Sequence, residues 1–109
     1  MLYAVWASDA PGRGGERLRV REAHRARLRA PGPHPVQVLQ AGATLDGSTG
    51  AMNGTLLVVE AENIAAVRAF VDGDPYVAAG VYASVEIRPW RCGLGPPSEF
   101  ADRREDRQP

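Results

Sequence analysis

The chain reads as an α+β domain in which two helices cover one face of an antiparallel four-stranded sheet, in the order β-α-β-β-α-β. Three observations predict this. Short apolar, β-prone runs such as "LYAVWA" and "TLLVV" stand apart from two stretches with helical spacing. Glycine, proline, asparagine or aspartate punctuates the boundaries between them. The resulting order of elements is that of a split βαβ unit.

Leu2 to Ala7 ("LYAVWA") is the first strand, ended by the turn-forming "SDAPGRGGE". Glu16 to Ala30 ("ERLRVREAHRARLRA") is a helix of good helix formers with an acid in its first turn. Val20, His24 and Leu28 recur there at i, i+4 and i+8, with Arg21 and Ala23 beside them. Arg19, Glu22, Arg25 and Arg29 lie mostly on the other side. "PGPHP" stops the helix, because proline lacks the amide hydrogen and crowds the preceding turn. Val36 to Ala43 is a second strand, "TLDGSTGAMN" a loop and "GTLLVVEAE" a third strand. Asn63 caps a second helix whose apolar stripe is Ile64, Val67, Phe70 and Val71. Finally, "VYASVEIRPW" alternates, with Val81, Ala83, Val85 and Ile87 on one face and Tyr82, Ser84, Glu86 and Arg88 on the other. The whole is a ferredoxin-like βαββαβ fold of one domain, residues 1–94. From Gly95 the aperiodic "GPPSEFADRREDRQP" reads as a mobile C-terminal tail.

Composition removes several classes of function. Thirteen basic and thirteen acidic residues cancel, which offers no electrostatic case for nucleic acid or an anionic membrane. Every basic residue is arginine, so lysine Schiff-base chemistry is excluded. The single cysteine, Cys92, rules out an internal disulfide and a cysteine metal cluster. Neither histidine has a metal-ligand spacing, and "PGRGGE" matches no dinucleotide or phosphate loop, so no metal or cofactor is expected. Met1 leads into "LYAVWASD" without a basic leader or long apolar run; the expectation is a cytoplasmic protein. "LYAVWA" and "TLLVV" are apolar at consecutive positions, so both faces of those strands call for burial. Two helices cover one face only, and a second copy of the sheet would cover the other: the pattern predicts a homodimer.

The polar groups available for chemistry are His24, His34, Asp9, Asp74, Arg21 and the hydroxyls of Ser8, Ser48 and Tyr82. His24 lies on the apolar side of the first helix. Histidine there reads as a satisfied core or subunit-contact residue or as a proton-transfer group, and a carboxylate orienting its ring would favour the last. Asp74, held at a turn by Pro75, is placed to approach the first helix; its plain reading is a cap for "PYVAAG". Asp9 stands at the end of the first strand, either facing a pocket or serving the turn. Arg21 either holds a substrate carboxylate bidentately or pairs with an acid across a dimer.

Taken together, "MLYAVWASDAPG", "RLRVREAHRARL", "AGATLDG", "GTLLVVEAENIAAVRAFVDGDPYVAAGVY" and "VEIRPW" resemble the YciI-like (YCII-related) family. The distinctive pieces are the helical set Arg21, His24 and Leu28 and the later "DPY". The resemblance implies a dimeric α+β barrel, two ferredoxin-like units packed sheet to sheet. It implies a histidine–aspartate dyad at His24 and Asp74, with Asp9 as a pocket residue. It also implies cofactor-free proton transfer, by elimination or isomerisation, on a small organic acid. The models for that chemistry are dehydrochlorination of a chlorinated hydroxymuconate and muconolactone isomerisation. The competing readings are a non-catalytic dimeric module that binds a metabolite or a partner protein, and a His–Asp pair that is dimer architecture alone.

Overall fold

The structure, a computed structural model, describes residues 1–95 of the 109-residue chain. The tail predicted from Gly95 onward lies, past Gly95 itself, outside the described residues. Four strands, β1 (Leu2–Asp9), β2 (Val36–Leu45), β3 (Met52–Ala61) and β4 (Tyr82–Trp90), form one antiparallel sheet in the order β2-β3-β1-β4. Helices α1 (Gly14–Arg29) and α2 (Ile64–Asp72) follow the predicted order, and a one-turn helix α3 (Pro75–Ala78) is added before β4. The β2–β3 loop is shorter than predicted. Asp46 Oδ1 accepts the amides of Ser48 at 2.8 Å and Thr49 at 3.0 Å, and this tight turn lets both strands run further.

Strand register explains the core. Tyr3, Val5 and Ala7 lie opposite Val59, Leu57 and Thr55, so these residues share the helix-covered face. Tyr3, Val5, Leu57, Val59 and Ile87 there meet Val67, Phe70 and Val71 of α2 in one buried cluster. Burying a side chain such as Phe70 contributes about 1.5–3 kcal/mol. Ile64, predicted for the same stripe, remains exposed. Helix α1 also departs from its predicted pattern. Its buried residues are Arg17 and His24, whereas Val20 and Leu28 are only half-buried. Polar contacts, not an apolar stripe, set the rotation of this helix.

Strict alternation in β4 fails at one point. Ser8 opposes Ser84 but Asp9 opposes Tyr82, so Ala83 is an extra residue on β4. Such a bulge re-aims the side chain beside it. Tyr82, predicted to share the outer face with Ser84, Glu86 and Arg88, turns instead to the helix side with Asp9.

The sheet's other face carries Trp6 opposite Leu56 and Leu2 opposite Trp90. Trp6 is 52% exposed, Leu56 40% and Trp90 39%, which leaves an apolar face uncovered by either helix. Among the described residues no helix is long and apolar enough to cross a membrane.

Candidate active site

The segment Asp74–Val81 is folded by its own sequence. Asp74 is extended and caps α3, its Oδ1 accepting the Tyr76 amide at 2.8 Å. Pro75 occupies the first helical position, where a missing N–H costs nothing. At the other end Gly80 adopts φ +71°, a left-handed conformation natural to glycine. The Gly80 amide donates to the Val77 carbonyl at 3.0 Å and the Val81 amide to the Tyr76 carbonyl at 2.9 Å. These two bonds close the helix as a Schellman motif. The chain is thereby turned into β4, where the Val81 carbonyl accepts the Ala10 amide at 2.7 Å.

The same Asp74 carboxylate reaches α1. His24 Nδ1 lies 2.7 Å from Asp74 Oδ2 and 3.0 Å from Oδ1, with both side chains buried. An ionised carboxylate only accepts, so Nδ1 carries the proton in this contact. In the neutral ring Nε2 then keeps its lone pair, and it makes no hydrogen bond among the described residues. The ring is further fixed by Tyr76, stacked on it at a centroid distance of 4.0 Å and an interplanar angle of 20°.

Tyr76 has a second neighbour on the same helix. The Arg17 guanidinium carbon lies 4.5 Å from the Tyr76 ring centroid. Arg17 and His24 are seven residues apart, about 10 Å along α1, which is room for an aromatic ring between them. Arg17 itself is buried. It donates through Nε to Asp9 Oδ2 at 2.8 Å, and through Nη2 to Asp9 Oδ1 at 3.0 Å and Thr55 Oγ1 at 2.7 Å. Burial works against its charge, but the hydrogen bonds and charge of Asp9 prevail and hold the guanidinium above its ordinary range. Tyr82 stands edge-on to Tyr76, with centroids 5.6 Å apart. Burial is the main cause that pushes the Tyr82 phenol far up.

An open groove of about 450 Å³ runs between α1 and β2. Arg21, His24 and Leu28 line one wall, Val38 to Ala43 the other, and Thr55 and Tyr76 lie at its inner part. His24 lines the groove, whereas Asp74, which holds its Nδ1, does not. Among the described residues no three histidine, cysteine or carboxylate side chains converge as a metal site would need.

Residues 1–91 match the family described as the YCII-related domain. The chain belongs to the YCII-related family. Protein YciI of Escherichia coli O6:H1 is 36% identical over 100 residues, covering 84% of this chain and 97% of that protein. Among solved structures, the 5-chloro-2-hydroxyhydroquinone dehydrochlorinase TftG of Burkholderia phenoliruptrix AC1100, complexed with 2,5-dihydroxybenzoquinone, superposes with a TM-score of 0.74 at 32% identity. It covers 85% of this chain and 96% of that one. Protein Atu4242 of Agrobacterium tumefaciens, at 11% identity and a TM-score of 0.51 over 88% of this chain and 98% of its own, shares the fold alone. The dehydrochlorinase is named for a chlorinated hydroxyhydroquinone, an aromatic ring. The expectation of a chlorinated hydroxymuconate as the model chemistry is corrected accordingly.

Within this YCII-related domain the predicted site residues fall into two groups. His24 and Asp74 are joined directly, and Arg21 lines the groove beside them. Asp9 is turned onto Arg17, which occupies both of its carboxylate oxygens. His34 lies apart, edge-on to Phe70 at 5.8 Å, Ser48 sits in the β2–β3 turn and Ser8 faces the outer side of the sheet. Arg17, Thr55 and Tyr76 were not foreseen. The signal for Arg17 was its spacing: seven residues before His24, it shares that residue's helix face.

Proposed function

We propose that this YCII-related protein is a cofactor-independent enzyme that transfers a proton at an activated carbon of a small organic acid, with elimination or isomerisation. The observation that carries the reading is the 2.7 Å contact of His24 Nδ1 with Asp74, which leaves Nε2 as a free base at the groove. Nε2 removes a proton from carbon. The released electron pair forms a double bond as a leaving group departs from the neighbouring carbon, or shifts to a position that the imidazolium reprotonates. Asp74 stabilises the imidazolium that forms. A base positioned in this way contributes ~10²–10⁴-fold, enough for an acidified C–H and too little for an inert bond. Arg21 holds the substrate's anionic group, and Asp9 acts through Arg17 by keeping the Tyr76 stack against His24. The dehydrochlorination named for TftG is an elimination of this kind, which supports the reaction class.

In this reading the exposed face of β1 and β3 is covered by a second copy of the chain, sheet against sheet. The apolar patch around Trp6, Leu56 and Trp90 supports that arrangement. The function is tested by screening chlorinated hydroxyquinols, muconolactones and related acids for turnover, with His24→Gln beside the native chain. Turnover lost in His24→Gln while binding persists is the expected result. Binding of the same compounds with no turnover by the native chain would establish a non-catalytic binding module instead.

A further inference from the structure

Arg21, Arg25 and Arg29 stand at i, i+4 and i+8 on α1, and all three line the groove that His24 enters. At 1.5 Å of rise per residue they mark points about 6 and 12 Å along the groove from Arg21. None makes a hydrogen bond or ion pair among the described residues, and no aspartate or glutamate lines the groove there. This is unusual for a chain whose charges cancel overall. Arg17, the fourth arginine of the series, has its charge matched by Asp9, and Arg19 on the outer side has Glu16. The three unmatched cations are therefore gathered along one groove. The facing wall is largely apolar, with Val38, Leu39, Ala41, Gly42 and Ala43 beside the amide of Gln40.

We infer that the groove takes an elongated dianion. One anionic oxo-group sits on Arg21 beside the reacting carbon, and a second, carboxylate or phosphate, sits farther along on Arg25 and Arg29. The carbon skeleton between them lies against the largely apolar wall of β2. Guanidinium suits both ends because its planar fork meets carboxylate or phosphate with two parallel hydrogen bonds. The inference rests on the groove being the substrate site of the proposed enzyme, but it concerns the ligand's charge and length, which His24 does not set.

The test is calorimetric binding at low ionic strength. The ligands are straight-chain α,ω-dicarboxylates of increasing length, the matching monocarboxylates, and ω-phosphonate analogues of the same acids. The native chain should bind dianions of the right length about fivefold or more tightly than the monoanion, and more steeply with falling salt. Arg25→Gln/Arg29→Gln should reduce this preference to near unity. Both side chains are exposed and unpaired, so the double variant should keep the native melting temperature; Arg25→Glu/Arg29→Glu should reverse the preference. Comparison of dicarboxylate with phosphonate arms identifies the second group. Equal affinity for mono- and dianions in the native chain, or a preference untouched by the double variant, would overturn the inference. His24→Gln, run in parallel, separates the two ideas. A dianion preference retained there supports the arginine row, even if turnover assays later remove the role of His24.

Discussion

Replacing Asp74 separates its two duties. In Asp74→Ala the α3 cap is lost, which costs about 0.5–2 kcal/mol, and the buried His24 Nδ1–H loses its acceptor, which costs about 1–3 kcal/mol. The sum, about 1.5–5 kcal/mol, is a large part of the 5–15 kcal/mol that stabilises a typical domain. It corresponds to a urea midpoint lowered by on the order of 1–3 M. Asp74→Asn behaves differently. Its amide oxygen can still accept the Tyr76 N–H now held at 2.8 Å, so the cap survives. Its NH₂ then faces His24 Nδ1, which must become an acceptor, and the ring proton moves to Nε2. Losing a charge-assisted bond for a neutral one costs about 1 kcal/mol. The variant is thus expected to stay folded but lose its base, with turnover down ~10²–10⁴-fold. Urea unfolding at fixed protein concentration gives the stabilities, and ¹⁵N spectra of the histidine ring give the tautomer. Equal destabilisation by Asn and Ala would refute the capping argument. An Nε2–H tautomer already present in the native protein would refute the assignment of Nε2 as the base.

Arg17→Gln leaves the buried Asp9 carboxylate without its cation and should cost about 3–5 kcal/mol; Arg17→Lys should rescue little, since an ammonium cannot span both Asp9 oxygens and Thr55. Thermal unfolding of the two variants checks this. Burial raises the Tyr82 phenol, so the folded state favours the neutral form. The associated stability is complete below about pH 10 and is lost as pH rises further, because the unfolded chain ionises first. Tyr82→Phe should flatten that alkaline decline, and an unchanged slope in stability measured against pH would count against it. Trp6→Asp places a charge at the centre of the exposed sheet face and should shift sedimentation at micromolar concentration to the monomer. A native chain that already sediments as a monomer would remove the dimer.

Much of the scaffold was legible because it depends on local signals. Apolar runs marked the strands, Asn63 marked the start of α2, and the Pro and Gly clusters marked the turns. The approach of Asp74 to His24 was readable as a possibility from Pro75, and the family resemblance made it specific. What escaped detection was charge acting as core. Arg17 looks like one more solvated arginine on a helix rich in them, and only the fold brings Asp9 and Thr55 around it. The face that Tyr82 presents escaped for another reason: an extra residue in a strand leaves no mark in an alternating pattern, since the pairing partner on β1 decides where the phase slips. The apolar spacing of Val20 and Leu28 was real but weak, and a polar network overrode it.

The eight residues from Asp74 to Val81 contain their own start, stop and aromatic wedge, and they deliver the carboxylate as a by-product of closing one helical turn. They form a portable unit. Transplanted onto another helix bearing histidine and arginine seven residues apart, the segment would bring the tyrosine ring and the carboxylate together. It could not supply one without the other. For the same reason, variation inside this stretch is constrained as a block.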